Sequence, residues 1–174
     1  MPFDDKLELF YWVDRDNKVL GSVKRGKAHK DKSIIHRSIF VVIVDSKNKV
    51  LFQKRSKYKD TFPEYWTVSA SGHVTYSESY KQAAKKEMRE ELGIDLDLRL
   101  VGKKLIDTKV EQEYSAIYKA KFRDSEIKFD KTEVVEVKWV SINKLSEFIE
   151  KNKVTPSCRK VLVFMGWIEK GEVR

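Results

Sequence analysis

Cysteine is almost absent from this 174-residue chain. Cys158 stands alone, so no internal disulfide can staple the fold. A reducing, cytoplasmic setting is the expectation that follows. Proline and glycine are also scarce, at three and seven residues, and no Pro-, Gly- or Ser-rich linker divides the sequence. One domain over residues 1–174 is expected. No apolar run approaches the roughly 18 residues of a membrane span. The opening Met1-Pro2-Phe3-Asp4-Asp5-Lys6 lacks the charged-then-apolar layout of a secretory leader. What remains is a chain stabilised by its core, and 41% hydrophobic residues suffice for one at this length.

Charge of one sign is in excess. Thirty-six Lys and Arg stand against 27 Asp and Glu, a net charge of +9. Such a balance invites a nucleic-acid reading. The lysines are scattered, however, with only short clusters such as Lys24-Arg25-Gly26-Lys27 and Lys57-Tyr58-Lys59. A general attraction for small phosphate-bearing anions accounts for the charge equally well, so nucleic acid is not expected as the main partner, nor is a membrane.

The apolar pattern predicts strands through the middle and helices beside them. Phe10–Val13 and Val19–Val23 read as a hairpin turned at Asp14–Asn17, within about residues 8–24. Ile39–Val44 is a continuous, mostly β-branched run and reads as a strand buried on both faces. Val50–Gln53 returns from it, and Trp66–Ser69 is a further short strand. Leu96–Ile106, Tyr114–Phe122 and Val134–Val140 complete the set. Ser79–Leu92 is the clearest helix, stopped by Gly93. Two C-terminal helices are expected within about 142–170, one capped by Ser141 and running to Glu150, one following Thr155-Pro156 through Met165 and Trp167. The fold class is therefore α/β (α+β), a mixed sheet with helices packed on it.

On the central helix, Glu87, Glu90 and Glu91 stand at i, i+3 and i+4 and share one face. Like charges at that spacing repel. Three converging carboxylates also make the hard-oxygen site that Mg²⁺ or Mn²⁺ prefers. The opposite stripe, Ala84, Met88 and Leu92 with Ala83 nearby, faces the core. A merely solvated acidic face is the bland alternative, and the flanking residues weigh against it. Gly72, Glu78, Glu87, Met88, Glu90, Glu91, Gly93 and Ile94 occupy eight of the nine fixed positions of G-x5-E-x7-R-E-U-x-E-E-x-G-U, with U aliphatic. The stretch 72–94 thus resembles the Nudix box. Lys86 replaces the arginine that braces a loop glutamate in that family, here Glu78 by position. Lysine supplies the charge without the bidentate fork.

The resemblance implies the Nudix fold, a mixed sheet sandwiched between helices. It also implies hydrolysis of a phosphoanhydride bond in a small diphosphate substrate. Glu90 and Glu91 become metal ligands by position, and Glu87 a ligand or the group that activates water. The metal would neutralise phosphate charge and lower the pKa of the attacking water.

Histidine is the other scarce residue, with His29, His36 and His73 the full set. A lone histidine is more often structural than a ligand. Here His29 and His36 are seven apart, His73 directly follows Gly72, and Glu111 and Glu113 alternate as on one face of a strand. Three imidazoles and two carboxylates suit Mn²⁺, Zn²⁺ or Fe²⁺. This set resembles the metal site of the type I isopentenyl diphosphate isomerases, a branch of the Nudix superfamily. The likeness continues through Gln53-Lys54-Arg55-Ser56, Phe62-Pro63, Trp66 and Ser71-Gly72-His73, over about residues 8–150. It makes Arg55, Lys54 and Trp66 the candidates for substrate contact.

The departures separate two reactions on one scaffold. Those isomerases carry a proton-moving cysteine before the Gly-His pair, and Ser71 stands there instead. A hydroxyl is far too weak an acid to replace a thiol directly. Their late tryptophan, which shelters a carbocation by cation–π contact, has no counterpart in Val154-Thr155-Pro156-Ser157-Cys158. Tyr114 and Tyr118 do not have the spacing of their catalytic tyrosine. Their box also keeps chiefly the glutamate at the place of Glu91, whereas all three persist here. The expected activity is hydrolysis. Isomerisation and a non-catalytic nucleotide- or RNA-binding module are the alternatives. The box fixes the diphosphate and not the group attached to it. Trp12, Tyr58, Phe62, Tyr65 and Trp66 are candidates to stack on that group. Oligomeric state is not readable, and a homodimer stays open.

Overall fold

The computed structural model describes residues 5–172. Met1–Asp4, read above for leader character, lies outside them. Among the described residues no helix is long and apolar enough to cross a membrane.

The fold is organised on strand β3 (Ile35–Val44), which has neighbours along both edges. Strand β8 (Gln112–Lys121) runs parallel to it over its whole length. On the other edge lie, antiparallel, β1 (Leu9–Val13), β6 (Ala70–His73) and the start of β4 (Lys49–Arg55). Strand β2 (Val19–Lys24) extends β1, β7 (Arg99–Asp107) extends β8, and β5 (Trp66–Val68) and β9 (Val134–Ser141) flank β4.

The β-branched run in β3 is buried on both faces, as its composition requires. Ile39, Val41 and Ile43 enter one core with Ala83, Ala84, Met88 and Leu92 of α2 (Tyr80–Leu92). Phe40, Val42 and Val44 enter the other, with α3 (Leu145–Lys151) and α4 (Pro156–Phe164). Each such side chain contributes roughly 1.5–3 kcal/mol by leaving water. The sheet is thereby held between α2 on one side and α3 and α4 on the other.

Where expectation and structure differ, a local cause is visible. The Trp66–Ser69 strand is interrupted at Ser69, whose hydroxyl donates to the Leu51 carbonyl (2.6 Å) and accepts from the Ile43 amide (2.8 Å). It fills the place where β3 and β4 separate. The strand expected from Leu96 begins only at Arg99, and the Leu96 carbonyl accepts from Lys85 Nζ (2.7 Å). Ser141 makes no capping bond, and a 3₁₀ turn, Ile142–Lys144, precedes α3. Thr155 does cap α4, accepting from the Cys158 amide. That helix stops at Phe164, short of Trp167, and Gly166 follows at φ +73°. The four-residue helix α1 (Arg25–Ala28) has no periodicity to announce it.

Cys158 lies fully buried on the core-facing side of α4, and burial pushes its thiol up to about 12. The thiolate is the reactive form. The native protein is therefore expected to resist iodoacetamide at neutral pH and to react rapidly once unfolded in guanidinium. Labelling of the native protein at the rate of a free thiol would place Cys158 at the surface.

Candidate active site

Helix α2 delivers its carboxylates with little freedom. Ser79 caps it by accepting from the Gln82 amide (3.2 Å), and the Gln82 side chain accepts in return from the Ser79 amide (2.8 Å). Gly93 ends it in the left-handed conformation at φ +66°. The box glycine has a different task. A Cβ on Gly72 would stand 2.3 Å from Glu87 Cδ, so only a glycine leaves room for that carboxyl.

The three glutamates occupy graded environments. Glu90 is exposed, Glu87 half-buried and Glu91 buried. Glu91 Oε2 accepts from Gln53 Nε2 and from the Ser71 amide (3.1 Å). Burial nevertheless pushes its carboxyl up to about 7, against the opposing charge of Lys59. Glu87 is raised well above the carboxylate range by burial and then by Glu91. The bracing expected of Lys86 is present in amine form. Its Nζ donates to both oxygens of Glu78, at 3.2 and 3.1 Å, and Glu78 Oε2 also accepts from the Thr75 amide.

The second carboxylate set and the histidines meet beside this helix. Strand β3 places His36 next to Glu113 of β8 in register, and β6 places His73 at the end of the adjoining strand. His29 follows α1, and Glu111 precedes β8. Ligand atoms of His29, His36, His73 and Glu111 all lie within 4.8 Å of one another. Glu113 Oε1 is 3.7 Å from His36 Nε2 and 3.6 Å from His73 Nε2. All five side chains thus come together.

Such a group fits a cation on its own chemistry. His36 Nε2 is buried with no hydrogen-bond partner, a costly state for a polar atom. Burial, then the neighbouring His29, lowers His36 to about 3, and burial lowers His73 well below its usual value. Both imidazoles are held neutral, the form in which they ligate. Burial and then Glu111 push Glu113 well above the carboxylate range.

Both groups open on one cavity of about 310 Å³. Glu87, Glu90, Glu91, His73, Glu111 and Glu113 line it, with Arg25, Arg55, Lys59 and Lys86 as its cations. Arg55, one of the three expected substrate contacts, lines this cavity, whereas Lys54 and Trp66 do not, and both of those assignments are corrected. Gln53 and Arg55 reach the cavity side, so the intervening Lys54 faces away by the two-residue period of a strand. Trp66 sits opposite Lys54 in the ladder, only 6% exposed, with its ring edge-on to Phe148 in the core. Of the other aromatics, Phe62 lines the cavity, while Trp12 and Tyr58 lie exposed elsewhere. Ser71, at the place where the isomerase resemblance calls for a thiol, and Ser157, in the segment where it calls for an indole, both line it.

Three contributors escaped the sequence reading. Phe10 is fully buried and stacks on His73 (4.4 Å between ring centres) and His36 (5.4 Å). Gln53 and Lys59 stand in the sequence only within longer runs, with no site role attached to either. Phe10 carried only a strand signal, and nothing local marks an apolar residue as a floor for imidazoles.

Residues 34–162 match the NUDIX domain model. The chain belongs to the Nudix family. A prenyl-diphosphate phosphatase of Methanosarcina mazei is 31% identical over 156 residues, 87% of this chain and 91% of that protein. An isopentenyl-diphosphate Delta-isomerase 2 of Photorhabdus laumondii is 30% identical over 147 residues, 82% of each. The crystal structure of DR0079 from Deinococcus radiodurans superposes with a TM-score of 0.74 at 21% identity, covering 85% of this chain and 92% of that one. This last likeness concerns the Nudix fold alone. With its three box glutamates, this Nudix chain stands with the hydrolases that act on small diphosphate substrates.

The contact between Gly72 and Glu87 is testable through stability. Gly72→Ala is expected to cost about 1–3 kcal/mol by overpacking, and far less in a Glu87→Ala background. Equal costs in the two backgrounds, measured by urea unfolding, would show that the carboxyl does not rest on the glycine.

Proposed function

We propose that this Nudix chain removes the terminal phosphate from a prenyl diphosphate or a similarly small alkyl diphosphate, with Mg²⁺ or Mn²⁺ held by Glu87, Glu90 and Glu91. The observation that carries this reading is the convergence of the helix glutamates and the histidine cluster on one cavity in which Ser71 takes the place of a thiol. The relative named a prenyl-diphosphate phosphatase, matched along most of both chains, supports the choice of substrate class.

In this reading Arg55 and Lys59 offer charge to the phosphate oxygens. Gln53 and the Ser71 amide fix the Glu91 carboxyl. Glu87 is assigned the proton of the attacking water. The water oxygen bonds to the terminal phosphorus, the bridging P–O bond breaks, and its electron pair leaves on the prenyl monophosphate. A divalent cation supplies neutralisation of phosphate charge and makes water a better nucleophile. A second ion, Mn²⁺ or Zn²⁺, is proposed for His29, His36, His73, Glu111 and Glu113. The partnerless Nε2 of His36 is the support.

Isomerisation requires an acid and a base on opposite sides of an alkene and shelter for a cation. Glu113 is one proton carrier, but Ser71 and Ser157 supply neither the second nor the shelter. Each missing group is worth roughly a factor of 10² or more.

Incubation with isopentenyl diphosphate or dimethylallyl diphosphate and Mg²⁺ is expected to release phosphate without interconverting the two. Isomer formation at roughly 1 s⁻¹ or faster would overturn the reading. Glu90→Gln and Glu91→Gln are each expected to lower kcat by about 10² to 10⁴ with the fold intact by circular dichroism. Wild-type turnover in both, at saturating metal, would move the site elsewhere.

A further inference from the structure

The loop between β4 and β5 touches the histidine cluster through Asp60. Asp60 Oδ2 lies 3.3 Å from His29 Nδ1, while the other nitrogen of that ring, Nε2, lies 3.2 Å from His73 Nε2 and 4.0 Å from Glu111 Oε2. An ionised carboxylate only accepts hydrogen bonds, so His29 must donate through Nδ1. That fixes the tautomer with the Nε2 lone pair turned into the cluster. Asp60 is itself held by the Arg25 guanidinium, through Nη2 and Nε at 3.4 Å.

The same loop builds one wall of the cavity. Lys59, Thr61 and Phe62 surround Asp60 in sequence and line the cavity. Arg55 Nη2 donates to the Thr61 carbonyl (2.9 Å), and Lys59 pairs with Glu133 at 2.7 Å. Phe62 at φ +47° and Glu64 at φ +64° hold left-handed conformations that cost energy outside glycine. A loop kept in this shape needs anchors, and the Asp60 link to His29 is one of them.

We propose that Asp60 is a positioning residue. It orients His29 toward the cluster metal and thereby ties the order of the Lys59 loop to metal loading. The inference rests on the metal reading of the cluster given above. A carboxylate behind a ligating histidine typically contributes about 10- to 100-fold in metal affinity. Reciprocity then requires that a bound metal favour the ordered loop.

Cobalt(II) is the probe, followed by calorimetry and by its visible spectrum, in a Glu90→Gln/Glu91→Gln background that silences the helix site. Asp60→Ala is expected to raise the cobalt Kd about 10- to 100-fold and to shift the spectrum, with Asp60→Glu restoring part of both. Because the Asp60 side chain is a third exposed, the fold is expected to survive. In a His29→Ala background Asp60→Ala is expected to add nothing further. Cobalt should slow tryptic cleavage after Lys57 and Lys59 in the Asp60-containing protein and not in Asp60→Ala. If the cluster takes up no cobalt even with Asp60 in place, the metal reading falls and the inference with it. If it does, and Asp60→Ala keeps the same Kd, spectrum and protection, the inference alone falls.

Discussion

The arrangement depends on the enclosure of carboxylates that have too little countercharge around them. Glu87 and Glu91 are one turn apart on α2, both are pushed up by burial, and Glu87 is pushed further by Glu91. A packed core would not tolerate such a pair without compensation. The compensation is partial. Gln53 and the Ser71 amide meet Glu91 and the charge of Lys59 opposes its burial, Gly72 yields its Cβ to Glu87, and Lys86, bonded to Glu78, also offsets Glu87 by its charge. The repulsion is therefore arranged, not relieved. A site that keeps its charge deficit ready is one that a divalent cation would complete.

The second cluster is built on the same economy by different elements. Its residues come from β3, β6, β8 with the residue before it, and the segment after α1. The hairpin of β1 and β2 closes the assembly from outside, since Phe10 on β1 is the floor on which His36 and His73 stack. Phe10 itself is covered by the Arg25 guanidinium at 5.7 Å. The hairpin is therefore part of the site and not an appendage to the sheet. Its residue 10 fixes rings whose own hydrogen bonds are incomplete.

What was legible in the sequence is what depends on short fixed spacing. The capped helix from Ser79 to Gly93, the facing of Glu87, Glu90 and Glu91, and the two-faced burial of β3 follow from periods of 3.6 and 2. The Nudix resemblance and the clustering of His29, His36, His73, Glu111 and Glu113 were legible through motif positions. What failed depends on parity or on distant contacts. Lys54 and Arg55 are adjacent in sequence and opposite in direction. The composition of a strand does not reveal which of two neighbours faces the cavity. The isomerase likeness makes Trp66 a candidate substrate contact, and only the arrival of Phe148 from α3 makes it core. Asp60 carries no local signal and Phe10 only that of a strand, because their importance comes from residues 31 and 63 positions away: His29 and His73.

Two reactions can share this framework because they ask different things of the same wall. Hydrolysis needs charge at the phosphate end, where Arg55, Lys59 and the helix glutamates stand. Isomerisation needs, in addition, a thiol and an aromatic face, and on the proposed reading Ser71 and Ser157, which line the same cavity, supply neither. The exchange of a thiol for the Ser71 hydroxyl changes a single atom, and the missing indole concerns a side chain at the cavity wall, so on the proposed reading proton transfer and cation shelter are lost together. Ser71 illustrates the asymmetry. Its backbone amide still serves Glu91 (3.1 Å) whatever side chain the position bears. The hold on Glu91 is thus independent of the side chain at position 71. On the proposed reading, the reaction can change by altering one face of the cavity while the other keeps its hold on the diphosphate.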